Sequence, residues 1–154
     1  MSYTTSYAGY SWMYKTNKEI EGGFLSSTKY ATLTEAQDAC LKNKKCTGVQ
    51  WIGKKSFYLL KGTKEQKKQG RKFWFKGGKK YTSAGRVWGM YTNYKIKGAK
   101  VSKKPYTTIS AALLACGSKG ACRGVNKIGS TEFYMMKGNS VEVNKGTSAY
   151  LQGG

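Results

Sequence analysis

Apolar and polar residues alternate along this chain in short stretches, and the period changes from place to place. Thr47–Ile52 places Val49 and Trp51 between polar neighbours, Gly53-Lys54-Lys55 interrupts, and Phe57-Tyr58-Leu59-Leu60 resumes an apolar run. Alternation at period two broken by a glycine-bearing turn predicts a β-hairpin. Trp12–Asn17 predicts an earlier strand and Arg71–Phe75 a later, aromatic one. Lys64–Lys72, rich in Lys and Gln, reads as a solvated loop. Between the first strand and the hairpin the period lengthens. Thr32-Leu33-Thr34-Glu35 has the form of a capping box, so a helix is predicted over about Leu33–Lys42, with Ala36, Ala39 and Cys40 as a small-residue stripe.

The same pattern occurs twice. Cys40 aligns with Cys116 and Cys46 with Cys122 at one offset of 76, which also pairs Trp12 with Trp88, Tyr30 with Tyr106, Gly48-Val49 with Gly124-Val125 and Phe57-Tyr58 with Phe133-Tyr134. No gap is needed, and roughly a third of positions are identical, so the chain is a tandem duplication. The expected domains are residues 1–78 and 79–154. Each should be an α+β repeat, a small antiparallel β-sheet packed against one short helix. In the second repeat the helix falls at about Ile109–Gly117. Thr108 keeps its cap, but Ala111 stands in the place of Glu35 and should weaken it.

Composition then narrows the function. The 154 residues include 28 Lys and Arg, 7 Asp and Glu and no His, for a formal charge of +21. The first repeat has 15 basic and 5 acidic residues (+10) and the second 13 and 2 (+11), so neither is merely a basic tail. With 12 Tyr, 5 Phe and 4 Trp the chain is too aromatic for a disordered polycation. No apolar run approaches the ~20 residues of a membrane span, and the amino terminus has no visible signal peptide. Without His, acid–base chemistry would fall to carboxylates, Lys, Tyr or Cys. None of the seven carboxylates recurs at the repeat offset, and no nucleophile–base pair, phosphate-binding glycine loop or metal cluster is visible. The expectation is a protein that is not an enzyme, with no catalytic residue, metal or cofactor.

The cysteines form two x5-spaced pairs, Cys40/Cys46 and Cys116/Cys122. One disulfide within each repeat is the leading expectation. A four-Cys zinc site, which prefers x2 to x4 spacing, and buried free thiols are the alternatives.

Thr32-Leu-Thr-Glu-Ala36-x2-Ala39-Cys40-x5-Cys46-x-Gly48-Val49, followed by Phe57-Tyr-Leu-Leu-Lys-Gly62, resembles the core of a PAN/apple domain, and the match recurs in the second repeat. It covers the helix and central hairpin, about half of each repeat. The resemblance implies one helix packed on a curved antiparallel sheet, a helix-to-strand disulfide at Cys40–Cys46 and Cys116–Cys122, and a binding module for proteins or glycans. The additional disulfide usual in such domains has no counterpart, since Ala36, Asp38 and Leu60 are not Cys.

So large a positive charge calls for a polyanionic partner. The basic residues are Lys apart from Arg71, Arg86 and Arg123, which disfavours bidentate base reading. The leading expectation is a structural protein that cements an acidic protein assembly, as a minor capsid or virion component assembled in a host cytoplasm. Large DNA viruses as a class carry their own thiol-oxidising machinery, which would reconcile disulfides with the missing leader. The alternatives are nonspecific nucleic-acid binding, in which Lys72-Phe73-Trp74-Phe75-Lys76 would hold phosphates and stack bases, and a secreted module binding acidic glycans. Trp12 and Trp88 should be core anchors. Trp51, which faces Lys127 in the other repeat, is the candidate contact residue. The basic candidates are Lys54 and Lys55 in the hairpin turn, Lys67 and Lys68 in the Lys/Gln connection, and Arg71 and Lys72 at the aromatic strand. To these are added Lys79 and Lys80 at the joint between repeats, and Lys103 and Lys104 before the second helix.

Overall fold

Each predicted helix begins where its threonine caps it. In the computed structural model, which describes residues 2–83 and 85–152, α1 spans Leu33–Lys42 and α2 spans Ile109–Gly117. The Thr32 hydroxyl accepts from the Glu35 amide at 3.2 Å and the Thr108 hydroxyl from the Ala111 amide at 3.2 Å. This half of the capping box is therefore alike in both repeats, whatever side chain follows three residues on. Ala36 and Cys40 of the predicted stripe are buried and Ala39 is half-buried, because a helix must come close to lie across a sheet.

The first sheet contains β1 (Ser2–Tyr7), β2 (Tyr10–Ile20), β3 (Gly48–Trp51), β4 (Phe57–Leu60) and β5 (Glu65–Lys79), in the order β1-β2-β5-β3-β4. The second contains β6 (Tyr81–Ser83), β7 (Arg86–Ile96), β8 (Gly124–Ile128), β9 (Phe133–Met136) and β10 (Val141–Gln152), in the order β6-β7-β10-β8-β9. Both are antiparallel where their registers are described, and the two-repeat α+β arrangement holds. The helices pack on equivalent hairpins, α1 on β3 and β4 and α2 on β8 and β9. The chain divides into two compact units. One is built on Trp12–Lys76; the other begins at Gly77 and takes in Thr4–Ser11.

Two expectations are corrected. The strand expected at Trp12–Asn17 is the longer β2 and is preceded by β1. The segment 64–72 is not a loop, since β5 starts at Glu65 and runs through it. Its polar side chains are compatible with a strand because the pairing is made by backbone groups, and residues 66–70 are exposed along it.

The long strands carry a repeated irregularity. Asn17 and Asn93 both have positive φ (57° and 67°), and their side-chain carbonyls accept from the amides of Gly70 and Gly146, each at 3.1 Å. Those glycines also have positive φ, and the β7–β10 register shifts here, between Val143 and Ser148. Asn tolerates the left-handed region and Gly is at ease there, so the same Asn–Gly pair recurs in each repeat, and in the second it marks a bulge.

Trp12 and Trp88 are fully buried, as expected of core anchors. With Trp12 the first unit buries Met13, Val49, Leu60, Phe73 and Phe75; around Trp88 the second packs Ala112, Leu113, Val125, Phe133 and Met135. Each core also holds an amide that the hydropathy pattern does not mark. Gln50 accepts from the Ile20 amide (3.2 Å) and donates to the Lys72 carbonyl (2.8 Å). Asn126 accepts from the Ile96 amide (2.7 Å) and donates to the Ile96 carbonyl (3.2 Å). Paired in this way, a buried amide ties strands together without the desolvation cost of an unmet polar group.

Candidate functional site

The cysteines pair as Cys40–Cys46 and Cys116–Cys122, joining the end of each helix to the segment entering the next strand. All four are bridged and buried, so the zinc and free-thiol alternatives are set aside. Among the described residues no three His, Cys, Asp or Glu side chains gather into a metal-holding group, and no helix is long and apolar enough to cross a membrane.

The sequence-predicted contact residues converge most closely at the turn end of the β3–β4 hairpin. Trp51 ends β3, opposite Phe57 on one side and Lys72 on the other. Gly53 and Lys54 take positive φ to reverse the chain, and the Trp51 indole N–H donates to the Lys54 carbonyl at 2.8 Å, bridging the turn. The indole is thereby held half-buried. Above it lies the Lys72 ammonium, 5.0 Å from the ring centroid, in cation–π range. Arg71 donates to the Ile52 carbonyl at 3.1 Å. Lys54 and Lys55 project exposed from the turn and, with Lys29 and Ser56, line a shallow open depression of about 570 Å³. Among the described residues, Lys29, Lys54, Lys55 and Lys72 enter no ion pair; Arg71 is 3.9 Å from Glu19.

Lys29 was missed by sequence reasoning. It is brought here by the antiparallel bridge between Tyr30 and Phe57, a pairing that no local spacing announces. The remaining candidates lie elsewhere. Lys67 and Lys68 are exposed further along β5. Lys79, at the end of β5, Lys80, and Lys103 and Lys104 in the segment before α2 are exposed and belong to the second unit.

The phenylalanines of the aromatic run within β5 face the core. Phe73 and Phe75 are fully buried and lie 4.6 Å apart, and Trp74 packs on Tyr14 at 4.9 Å. Lys76, next in sequence, turns to the helix end, where its ammonium donates to the Cys40 carbonyl (3.1 Å) and the Asn43 carbonyl (3.3 Å). A cation there meets the negative end of the helix dipole, while partial burial lowers its pKa. Lys76 thus caps α1.

The patch belongs to one repeat only. At the equivalent positions the second unit has Pro105, Lys127, Ser130, Thr131, Thr147 and Ser148. No protein-family model matches the chain, and no curated protein is significantly similar to it in sequence.

Proposed function

We propose that this chain is a non-enzymatic, basic two-module interaction protein of PAN/apple type, which cements a larger assembly by binding acidic protein surfaces. The assembly that best fits a small, duplicated, lysine-rich chain is a virus particle, with this protein as a minor capsid or virion component. The observation that carries the reading is the contrast between frame and surface. The Asn–Gly pair, the disulfide, the core tryptophan and the buried amide recur in both repeats, whereas the exposed lysines of the hairpin patch do not. Selection on overall charge, with individual sites free to move, gives that pattern.

Nonspecific nucleic-acid binding is the second reading, and the site geometry weighs against it. A base would need an open aromatic face, yet Lys72 lies over Trp51 and the β5 phenylalanines are buried. Disulfides suit a secreted glycan-binding module as well as an oxidised virion. The test is fractionation of native source material. The chain should stay with a protein assembly through nuclease treatment and leave it at high salt, since exposed charge pairs are screened. Release by nuclease alone would overturn the proposal.

A further inference from the structure

Both repeats have a cleft at the same place in the fold, beside the end of the long β2 or β7 strand. Their frames correspond: Ile20 to Ile96, Gly22 to Gly98, Gln50 to Asn126 and Ile52 to Ile128. Their rims are inverted in charge. Glu19, Glu21 and Phe24 in the first unit become Lys95, Lys97 and Lys100 in the second.

In the first unit the rim is satisfied from within. Glu19 meets Arg71 at 3.9 Å and accepts from the Gln66 amide, Glu21 meets Lys64 at 3.3 Å, and Phe24 stacks on Tyr58 at 4.4 Å. In the second unit it is satisfied only in part. Lys100 sits 3.8 Å over the Tyr134 ring, which orders its ammonium without neutralising it. Lys95 is 4.0 Å from Glu142, the outer limit of an ion pair, and the exposed Lys97 enters no ion pair among the described residues. The cleft measures about 250 Å³, and its lining includes the buried Ile96 and Met136 and an Ile128 that is 42% exposed.

We infer that this second-unit cleft is the docking site for an acidic peptide segment of the partner, with Lys95, Lys97 and Lys100 receiving carboxylates and the aliphatic floor receiving an apolar side chain between them. The inference rests on the reading above that the partner is an acidic protein. Three observations select this occupant. The bases of a nucleic-acid strand would find only aliphatic groups and a tyrosine face already covered by Lys100. A second copy of the chain would bring another +21 of charge to a cationic rim. The volume is just below the ~300 Å³ at which small-ligand pockets begin, a size for one or two side chains.

The test is fluorescence anisotropy on the full chain with two labelled peptides of equal charge, one alternating Glu with Leu and one alternating Glu with Ser. The wild type should prefer the Glu/Leu peptide by about fivefold or more, the difference supplied by apolar burial. The variant K95E/K97E/E142Q carries the residues found at Glu19, Glu21 and Gln66, so each is compatible with this cleft frame. It should bind the Glu/Leu peptide about tenfold more weakly and lose the preference. K44Q/K45Q/K119Q removes the same net charge at exposed sites and should weaken both peptides about equally, keeping the preference. A cleft variant that keeps the preference, or behaves like the surface variant, overturns the inference and leaves the acidic-partner reading standing. If wild type binds neither peptide but binds a labelled oligodeoxynucleotide of equal charge, the acidic-partner reading itself fails. Near-UV circular dichroism checks folding, and Lys97→Glu alone, at an exposed position, carries the same test should the triple variant fail to fold.

Discussion

The Lys15 ammonium lies 2.7 Å from the Glu65 carboxylate, with the two side chains 6% and 20% exposed, and the second repeat has Tyr91 and Val141 in their places. One fold thus fills the same two interior positions with an ion pair in one copy and with a tyrosine and a valine, both fully buried, in the other. Buried pairs of this kind add little over a well-packed apolar pair, but removing one partner leaves a charge in a poor solvent. Glu65→Val should therefore cost about 3 kcal/mol or more, and K15Y/E65V, the second repeat's own pair, should recover most of that loss. Urea unfolding of the three proteins decides it. A double variant no more stable than Glu65→Val would contradict the account.

Trp12 and Trp51 should separate structure from contact. Trp12 is fully buried, so Trp12→Ala should lose about 3–5 kcal/mol and leave little folded protein at ambient temperature. Trp51 is half-buried at the hairpin end. Trp51→Ala should remain folded by circular dichroism while binding to an acidic partner surface falls severalfold. Unchanged binding in a well-folded Trp51→Ala protein would remove Trp51 from the interface.

Much of this was legible in the sequence because it rests on local pattern or on the duplication. The threonine caps set both helix starts, Gly53-Lys54 marked the hairpin turn, and the recurrence of an x5-spaced cysteine pair in each repeat pointed to one bridge within each. What escaped depends on contacts distant in sequence. Residues 64–72 looked like a loop because their side chains are polar, whereas their strand is made by pairing with β2 and β3. Gln50 and Asn126 carry no local sign of burial, since nothing nearby in sequence shows the Ile20 and Ile96 backbone groups they serve. Lys29 joins the patch, and Lys95, Lys97 and Lys100 one cleft, only when the chain folds back.

The bridges should stabilise each repeat separately. Each closes a short loop, a sequence separation of 6, for which chain-entropy estimates give about 2 kcal/mol. Peptide mapping without reduction should recover Cys40–Cys46 and Cys116–Cys122. Cys46→Ser and Cys122→Ser should each cost about that amount and affect mainly their own unit. A Cys40–Cys116 link, or four free thiols in native material, would contradict this.

Alkaline pH should weaken the second unit. Burial pushes the Tyr91 hydroxyl well above the ordinary tyrosine value of about 10, with neighbouring Tyr94 adding to the rise and its 2.6 Å bond with Thr4 opposing it. Burial also raises Tyr150. A folded-state pKa above the unfolded one means that the folded form holds its proton longer. The stabilisation is therefore complete below pH about 10 and is lost as pH rises above it. Tyr91→Phe should flatten this decline while costing about 1 kcal/mol at neutral pH for the lost Thr4 bond. Urea midpoints followed from neutral to strongly alkaline pH should show it, and an equal decline in both proteins would count against Tyr91 as its source.

The most direct test of the cementing role is carbodiimide coupling in native source material, with and without nuclease, because it joins lysine amines to carboxylates only at contact. The account predicts nuclease-insensitive links from Lys54, Lys55, Lys95 or Lys97 to Asp and Glu of other structural proteins. Absence of such links, with the chain released by nuclease, would mean that its charge serves nucleic acid instead.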